Sequence, residues 1–255
     1  MTLNELNNYF AELLHPEQYA ADPSRNGIQI QNEDPANAPI DTVAFATDAS
    51  VATAQKAIEA GAQVLFVHHG LFWGDCNTVT SIHYQRLSAF IKHNLALYAC
   101  HIPLDANETV GNNYGLARRM NLSNLKPFGV WRDMSIGVQG SFACELSVPE
   151  VIARLFPNGE SPSKVFAFGK QRIRTVGIIS GGAGGEVDQA AAAGLDAYIT
   201  GEVGHGDFHN IKELGMTVIA GGHYNTETVG INLVREKLAK ETGLKTLFID
   251  FPTGL

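Results

Sequence analysis

Apolar positions recur along this chain in two alternating rhythms. Leu3, Leu6, Phe10, Leu13 and Leu14 repeat at the three-to-four spacing of one helix face, opened by a Thr2/Glu5 capping pair and closed at His15-Pro16. Residues 22–41 carry Pro23, Pro35 and Pro39 among Asn and Asp and read as loop, broken by a short strand at 27–31. A regular alternation then sets in: strand 42–47, helix 50–60, strand 63–67, helix 82–93, strand 95–100 and helix 112–120. Around 123–133, which holds Pro127, Gly129 and Trp131, the pattern lapses. A second block follows, with strand 135–145, helix 148–156, strands 164–168 and 174–179, helix 186–193, strand 196–199, helix 205–214 and strand 217–220. A long helix at about 226–241 and a strand at 245–250 end it. Strands separated by helices predict βαβ units and a largely parallel sheet. Two such blocks predict a duplicated or two-lobed α/β architecture.

The ends of the apolar runs carry the chemistry. Val64-Leu65-Phe66-Val67 runs into His68-His69-Gly70; Ala96-Leu97-Tyr98-Ala99-Cys100 runs into His101-Ile102-Pro103-Leu104-Asp105; Thr217-Val218-Ile219-Ala220 runs into Gly221-Gly222-His223, with Glu227 four residues on. In open α/β sheets ligands gather at the carboxyl ends of strands. Imidazoles and carboxylates are the side chains that hold divalent metals. His223 and Glu227 stand i, i+4, on one face if the helix begins there. Asp105 is placed in a loop, where a turn or N-cap role is the competing reading. Three His and two carboxylates exceed what one tetrahedral ion with an open position needs; they suit two ions sharing a bridging carboxylate and an activated hydroxide. His205 and His209 form another i, i+4 pair, read as substrate-binding or ligand-supporting groups on a helix, or as a solvated face. The run Ser180-Gly181-Gly182-Ala183-Gly184-Gly185 matches neither a Walker A loop nor GxGxxG, and reads as a tight turn with close helix packing.

Bulk composition narrows the classes. The 255 residues allow one large or two modest domains; 45% hydrophobic and 17% charged residues mark a globular chain. A net charge of −8 and the lack of a basic stripe argue against a nucleic-acid binder. The most basic segment, Lys170-Gln171-Arg172-Ile173-Arg174, reads as a polar hairpin turn. Cys76, Cys100 and Cys144 form no CxxC and read as reduced thiols of a cytoplasmic protein. Cys76, beside Asp75, has no base nearby in sequence to make it a nucleophile, and neither GxSxG nor HExxH occurs. No signal peptide or membrane-spanning run is expected.

Taken together, Asn26-Gly27-Ile28-Gln29, Asp48, Val67-His68-His69-Gly70-Leu71-Phe72-Trp73, His101-Ile102-Pro103-Leu104-Asp105, the glycine-rich turn at 181–185, Asp196-Ala197-Tyr198-Ile199-Thr200-Gly201-Glu202 and Gly221-Gly222-His223-Tyr224-Asn225-Thr226-Glu227 resemble the NIF-three-like proteins, often labelled GTP cyclohydrolase I type 2 homologs. The motifs keep the family's order and cover almost the whole chain. Mild departures are Tyr224, where many members have a second His, and Gly70, where many have Pro. The resemblance implies a two-lobed α/β fold with mixed or parallel sheets flanked by helices and a cleft between the lobes. We place those lobes at 1–127 with 218–255, and at 128–217. Carried over residue by residue, the ligands of two divalent ions (Zn, Fe or Mn) are His68, His69, Asp105, His223 and Glu227. His101, Glu202 and His205 are candidates to support those ligands or a substrate. The resemblance also implies a homohexamer, a trimer of dimers, and a small-molecule substrate such as a nucleotide, with no nucleic acid or membrane partner. The expected activity is a metal-dependent hydrolysis in which a metal-activated hydroxide opens a purine ring and formate leaves. The alternative is a non-catalytic metal-handling or regulatory protein with the same site.

Overall fold

The computed structural model describes residues 1–75 and 77–255, so the Cys76 reading lies outside the described residues. In chain order the elements are α1 (Leu3–Leu14), β1 (Gly27–Ile30), β2 (Thr42–Asp48), α2 (Val51–Glu59), β3 (Val64–His69), α3 (Ser81–Lys92), β4 (Ala96–Ala99), α4 (Ile102–Ala106), α5 (Asn112–Arg119), β5 (Ser123–Trp131) and β6 (Met134–Ser147). They continue with α6 (Val148–Leu155), β7 (Lys164–Ala167), β8 (Arg172–Ile179), α7 (Val187–Ala192), β9 (Ala197–Thr200), α8 (Asp207–Glu213), β10 (Thr217–Ala220), α9 (His223–Thr242) and β11 (Lys245–Phe248). Among the described residues the chain divides into two compact units, Met1–Leu104 with Ile231–Phe251, and Asp105–Gly230 with Pro252–Leu255.

The first unit holds a five-stranded sheet in the order β1-β4-β3-β2-β11. β4, β3, β2 and β11 run parallel, and β1 closes one edge antiparallel. β2, β3 and β4 are buried almost throughout, which is why their sequences are continuous apolar runs rather than alternations. In register, Phe45, Phe66 and Tyr98 line one face of the sheet and Ala44, Leu65 and Leu97 the other. Phe10 of α1 packs on the aromatic face, its ring centroid 4.8 Å from both Phe66 and Tyr98. The opposite face packs with Ala54 and Ala57 of α2 and Leu87 and Phe90 of α3. The α1 start is fixed as the sequence predicts, Thr2 and Glu5 forming a reciprocal capping box.

The second unit holds a six-stranded mixed sheet in the order β5-β6-β8-β9-β10-β7. β8, β9 and β10 are parallel; β5, β6 and β7 are antiparallel to their neighbours. The unit boundaries fall at 104/105 and 230/231 rather than 127/128 and 217/218. The cause is packing: α5 lies on β6 and β8, and β10 hydrogen-bonds β9 and β7.

The apparent lapse at 123–133 is β5, an edge strand. An edge tolerates Pro127 and weak alternation because one side needs no ladder. At Val130 the Gln189 side chain occupies that side, accepting from the backbone N–H at 2.7 Å and donating to the carbonyl at 3.0 Å. Lys170–Arg174 is not a hairpin turn: Arg172–Arg174 belong to β8, which pairs with β6 and β9, while β7 pairs with β10.

Phe66 touches three of the largest rings of the first unit, Phe10, Phe45 and Tyr98. Truncating a buried Phe removes transfer energy and leaves a cavity. Phe66→Ala is expected to cost about 3–5 kcal/mol, read as a lower urea midpoint with an unchanged slope.

Candidate metal centre

In the first unit the parallel register sets three imidazoles side by side. β3 ends in His68-His69, β4 runs on into Cys100-His101, and Asp48 at the end of β2 is in register with His69. His68 is fully buried, and its Nδ1 lies 2.9 Å from the Cys100 carbonyl oxygen. A carbonyl only accepts, so Nδ1 carries the proton and Nε2 is the basic atom. His69 Nδ1 lies 2.8 Å from Asp48 Oδ1, and His101 Nδ1 lies 2.9 Å from Asp22 Oδ1. One ring nitrogen of each of the three lies within 4.8 Å of the others.

Asp22 is buried and also accepts from the backbone N–H groups of Ser24 and Ile102 and from Asn26 Nδ2. Burial alone would raise its carboxyl, yet the hydrogen bonds from His101, Asn26 and Ser24 hold it below the ordinary value. The Trp73 ring stands edge-on to His101 at 4.8 Å. The loop carrying Trp73 is tied to Gln29, whose Oε1 accepts from Leu71 N at 2.7 Å. A side chain at Gly70 would collide with Gln29 and Ala99, so the small residue there has a local steric reason.

The second unit carries the carboxylates and the fourth imidazole. Asp105 lies in the short helix α4 and is buried, not in an open loop; its Oδ1 accepts from Asn112 Nδ2 at 2.9 Å and Ser180 Oγ at 2.8 Å. α9 begins at His223, three residues earlier than the apolar rhythm indicates, which puts His223 and Glu227 on its first turn. His223 Nδ1 lies 3.0 Å from Glu202 Oε1, and its Nε2 lies 3.1 Å from Glu227 Oε1. Glu227, buried itself, pushes the imidazole pKa up to about 9 against the effect of burial, with Glu202 adding to the rise.

The glycine-rich turn makes room for this pair. Gly181 has φ +67°, and a Cβ there would collide with Glu227 Oε1 and reach 3.3 Å from His223 Nε2. Gly181 N donates to Thr226 Oγ1 at 3.1 Å, fastening the turn to the first turn of α9.

His205 precedes α8, which starts at Asp207, so His205 and His209 do not share a helix face. His205 instead lines a cavity of about 720 Å³ in the second unit, with Lys164, Phe166, Glu202, Val203 and Phe208. The motif reading passed over Asp22 and Asn112, and took Ser180 only as the start of the glycine-rich turn. Asp22 sits in a Pro- and Asn-rich loop 79 residues from its histidine, and the other two are isolated polar residues at element ends.

This α/β protein presents paired imidazoles at parallel strand ends and a His-x-x-x-Glu turn at a helix start, groups of side chains that could hold a metal ion. The chain belongs to the Duf34/NIF3 (NGG1p interacting factor 3) family, whose signature matches residues 1–253. A Treponema pallidum protein named GTP cyclohydrolase 1 type 2 homolog is 42% identical over the whole of both chains. A Deinococcus radiodurans protein of the same name is 42% identical over 99% of this chain and 94% of its own. The crystal structure of TTHA1606 from Thermus thermophilus superposes with a TM-score of 0.90 at 36% identity, covering both chains fully.

Two outcomes follow from this geometry. Gly181→Ala is expected to cost about 1–3 kcal/mol for its left-handed backbone and to weaken metal binding about tenfold or more by displacing Glu227, read by urea unfolding and metal titration. The metal-free protein holds His223 protonated at neutral pH, since its value is raised from 6.5 to about 9. That cation stabilises the metal-free fold fully below about 6.5, and the contribution fades as pH rises through about 9. Metal takes the neutral ring. Binding at pH 7 is therefore expected to release a proton from His223, seen calorimetrically as an enthalpy that varies with the buffer's ionisation enthalpy.

Proposed function

We propose that His68, His69, Asp105, His223 and Glu227 hold two divalent ions, and that the protein is a metal-dependent hydrolase acting on a purine nucleotide. One observation carries the reading. Each imidazole of the set has its Nδ1 on an oxygen acceptor: the Cys100 carbonyl, Asp48 or Glu202. Metal-ligating histidines use this arrangement to fix the ring and raise its basicity. The mixed nitrogen and oxygen donors suit Zn, Fe or Mn.

When bound, such a pair of ions lowers the pKa of water and polarises the bond under attack. The chain's own residues supply the rest. Asn112 and Ser180 anchor Asp105 through one oxygen and so orient its carboxylate. Phe166 and Phe208 in the second-unit cavity offer faces for a planar ring, and Lys164 offers a cation for a phosphate. The relatives' printed name, GTP cyclohydrolase 1 type 2 homolog, supports a purine nucleotide as the substrate class.

Protein reconstituted with Mn, Fe or Zn is expected to hold about two ions per chain and to release formate from GTP. Well under one ion per chain overturns the site; full loading without formate overturns the substrate. In Asp105→Asn the amide oxygen still accepts from Asn112 and Ser180, so the fold is expected to persist. Its metal content is expected to fall, and turnover with it by orders of magnitude.

A further inference from the structure

We propose that Glu202 sets the base preference of the second-unit cavity: its carboxylate accepts from N1–H and the 2-amino group of a guanine, while Lys164 meets the phosphate end. The inference rests on the reading of the protein as acting on a purine nucleotide, and adds the residue that selects one purine over the other.

Three observations carry it. The first is the place of the cavity, whose volume of about 720 Å³ falls in the range of small-molecule sites. Ala220, the last residue of β10, lines it, and so do Glu202, Val203 and Gly204, which follow β9. β9 and β10 are parallel, so the cavity lies at strand carboxyl ends, where open α/β sheets hold their ligands. Phe166 and Phe208 stand 6.1 Å apart at 64°. A purine lying flat on one ring therefore meets the other edge-on, and both are favourable aromatic contacts.

The second is the spacing of charge. Lys164 is in register with Ala220, and Ala220 with Thr200, two residues before Glu202. The cation thus stands two strands from the chain that carries the carboxylate, roughly 10 Å at the spacing of neighbouring strands. A nucleotide has the same polarity over a similar length, an anionic phosphate at one end and the outer edge of its base at the other. Lys164 suits the phosphate. A carboxylate beside an anionic ligand is unfavourable unless it meets hydrogen-bond donors, and the outer edge of guanine carries two of them side by side.

The third is unspent acceptor capacity. The Glu202 side chain is 44% exposed, and its Oε1 lies 3.0 Å from His223 Nδ1. Among the described residues no other group is hydrogen-bonded to this carboxylate. An ionised carboxylate accepts at about four positions and donates at none, so the bond to His223 leaves Oε2 open. The two N–H donors of guanine match its two oxygens. Adenine turns a bare ring nitrogen and a C–H to the same place, setting a lone pair against an anion. One group thus favours guanine and rejects adenine.

The test is calorimetric titration of the full chain, stripped of metal with a chelator, with GTP, inosine triphosphate and ATP. These carry two, one and no donors at N1 and C2. GTP is expected to bind tightest, inosine triphosphate about tenfold weaker for one lost charge-assisted bond, and ATP about a hundredfold weaker. Glu202→Gln keeps an oxygen for His223 but replaces the other with a donor, and is expected to bring GTP and ATP within about threefold of each other. Glu202→Asp, which keeps both oxygens, is expected to preserve the order. Lys164→Ala is expected to weaken all three nucleotides alike. A wild type that binds GTP and ATP within about twofold overturns the proposal and leaves the purine-nucleotide reading standing. So does a Glu202→Gln protein of native circular dichroism that weakens all three alike, the mark of a residue acting only through His223. A wild type that binds none of the three overturns the purine-nucleotide reading, and this proposal with it.

Discussion

The parallel register of β2, β3 and β4 is the constraint on which the first unit's chemistry depends. Because the three strands point the same way, their carboxyl ends finish at one level. Asp48, His68, His69 and His101 then meet although they span more than fifty positions of sequence. The same register delivers the ring orientations, for it is the chain leaving β4 that brings the Cys100 carbonyl to His68 and the end of β2 that brings Asp48 to His69. An antiparallel pairing would send one of those ends to the far side of the sheet.

The second unit reaches a similar result by different means. A helix start replaces a strand end as the platform, and a glycine replaces a neighbouring strand as the spacer. His223 and Glu227 face the same way because α9 begins at His223, and they have room because Gly181 carries no side chain. Glu202, at the turn after β9, gives the His223 ring the oxygen partner that Asp48 gives to His69. Fixing rings and carboxylates in the folded protein spares an arriving ion the entropy of ordering them.

Much of this was legible from residue order alone, and the exceptions share a cause. Buried parallel strands announce themselves as unbroken apolar runs, so β2, β3, β4, β9 and β10 stood out, and with them the strand-end histidines. β5 did not, because an edge strand with Pro127 and a left-handed Gly129 carries too little alternation. The boundaries of the two units were not legible either. They depend on which sheet α5 and β10 join, a choice made by long-range pairing. At the site, residues that offer donors to an ion have recognisable types and spacings. Residues that hold those donors carry no pattern of their own, whether far off in sequence, as Asp22 is from His101 and Ser180 from Asp105, or seven positions away, as Asn112 is from Asp105. Gly181 was legible as part of a tight glycine-rich turn, but not for the space it leaves beside Glu227 and His223.

The outer edge of β5 bears on how copies of this chain can associate. An open strand edge is ordinarily a template for adding another strand. Here the Gln189 amide already uses both main-chain groups of Val130, as a neighbouring strand would. The six-stranded sheet is in effect terminated by its own side chain. Copies of the protein therefore cannot extend that sheet into one another at Val130, and any assembly through this side must be built from side-chain surfaces, whose fit can be specific where a strand edge is promiscuous.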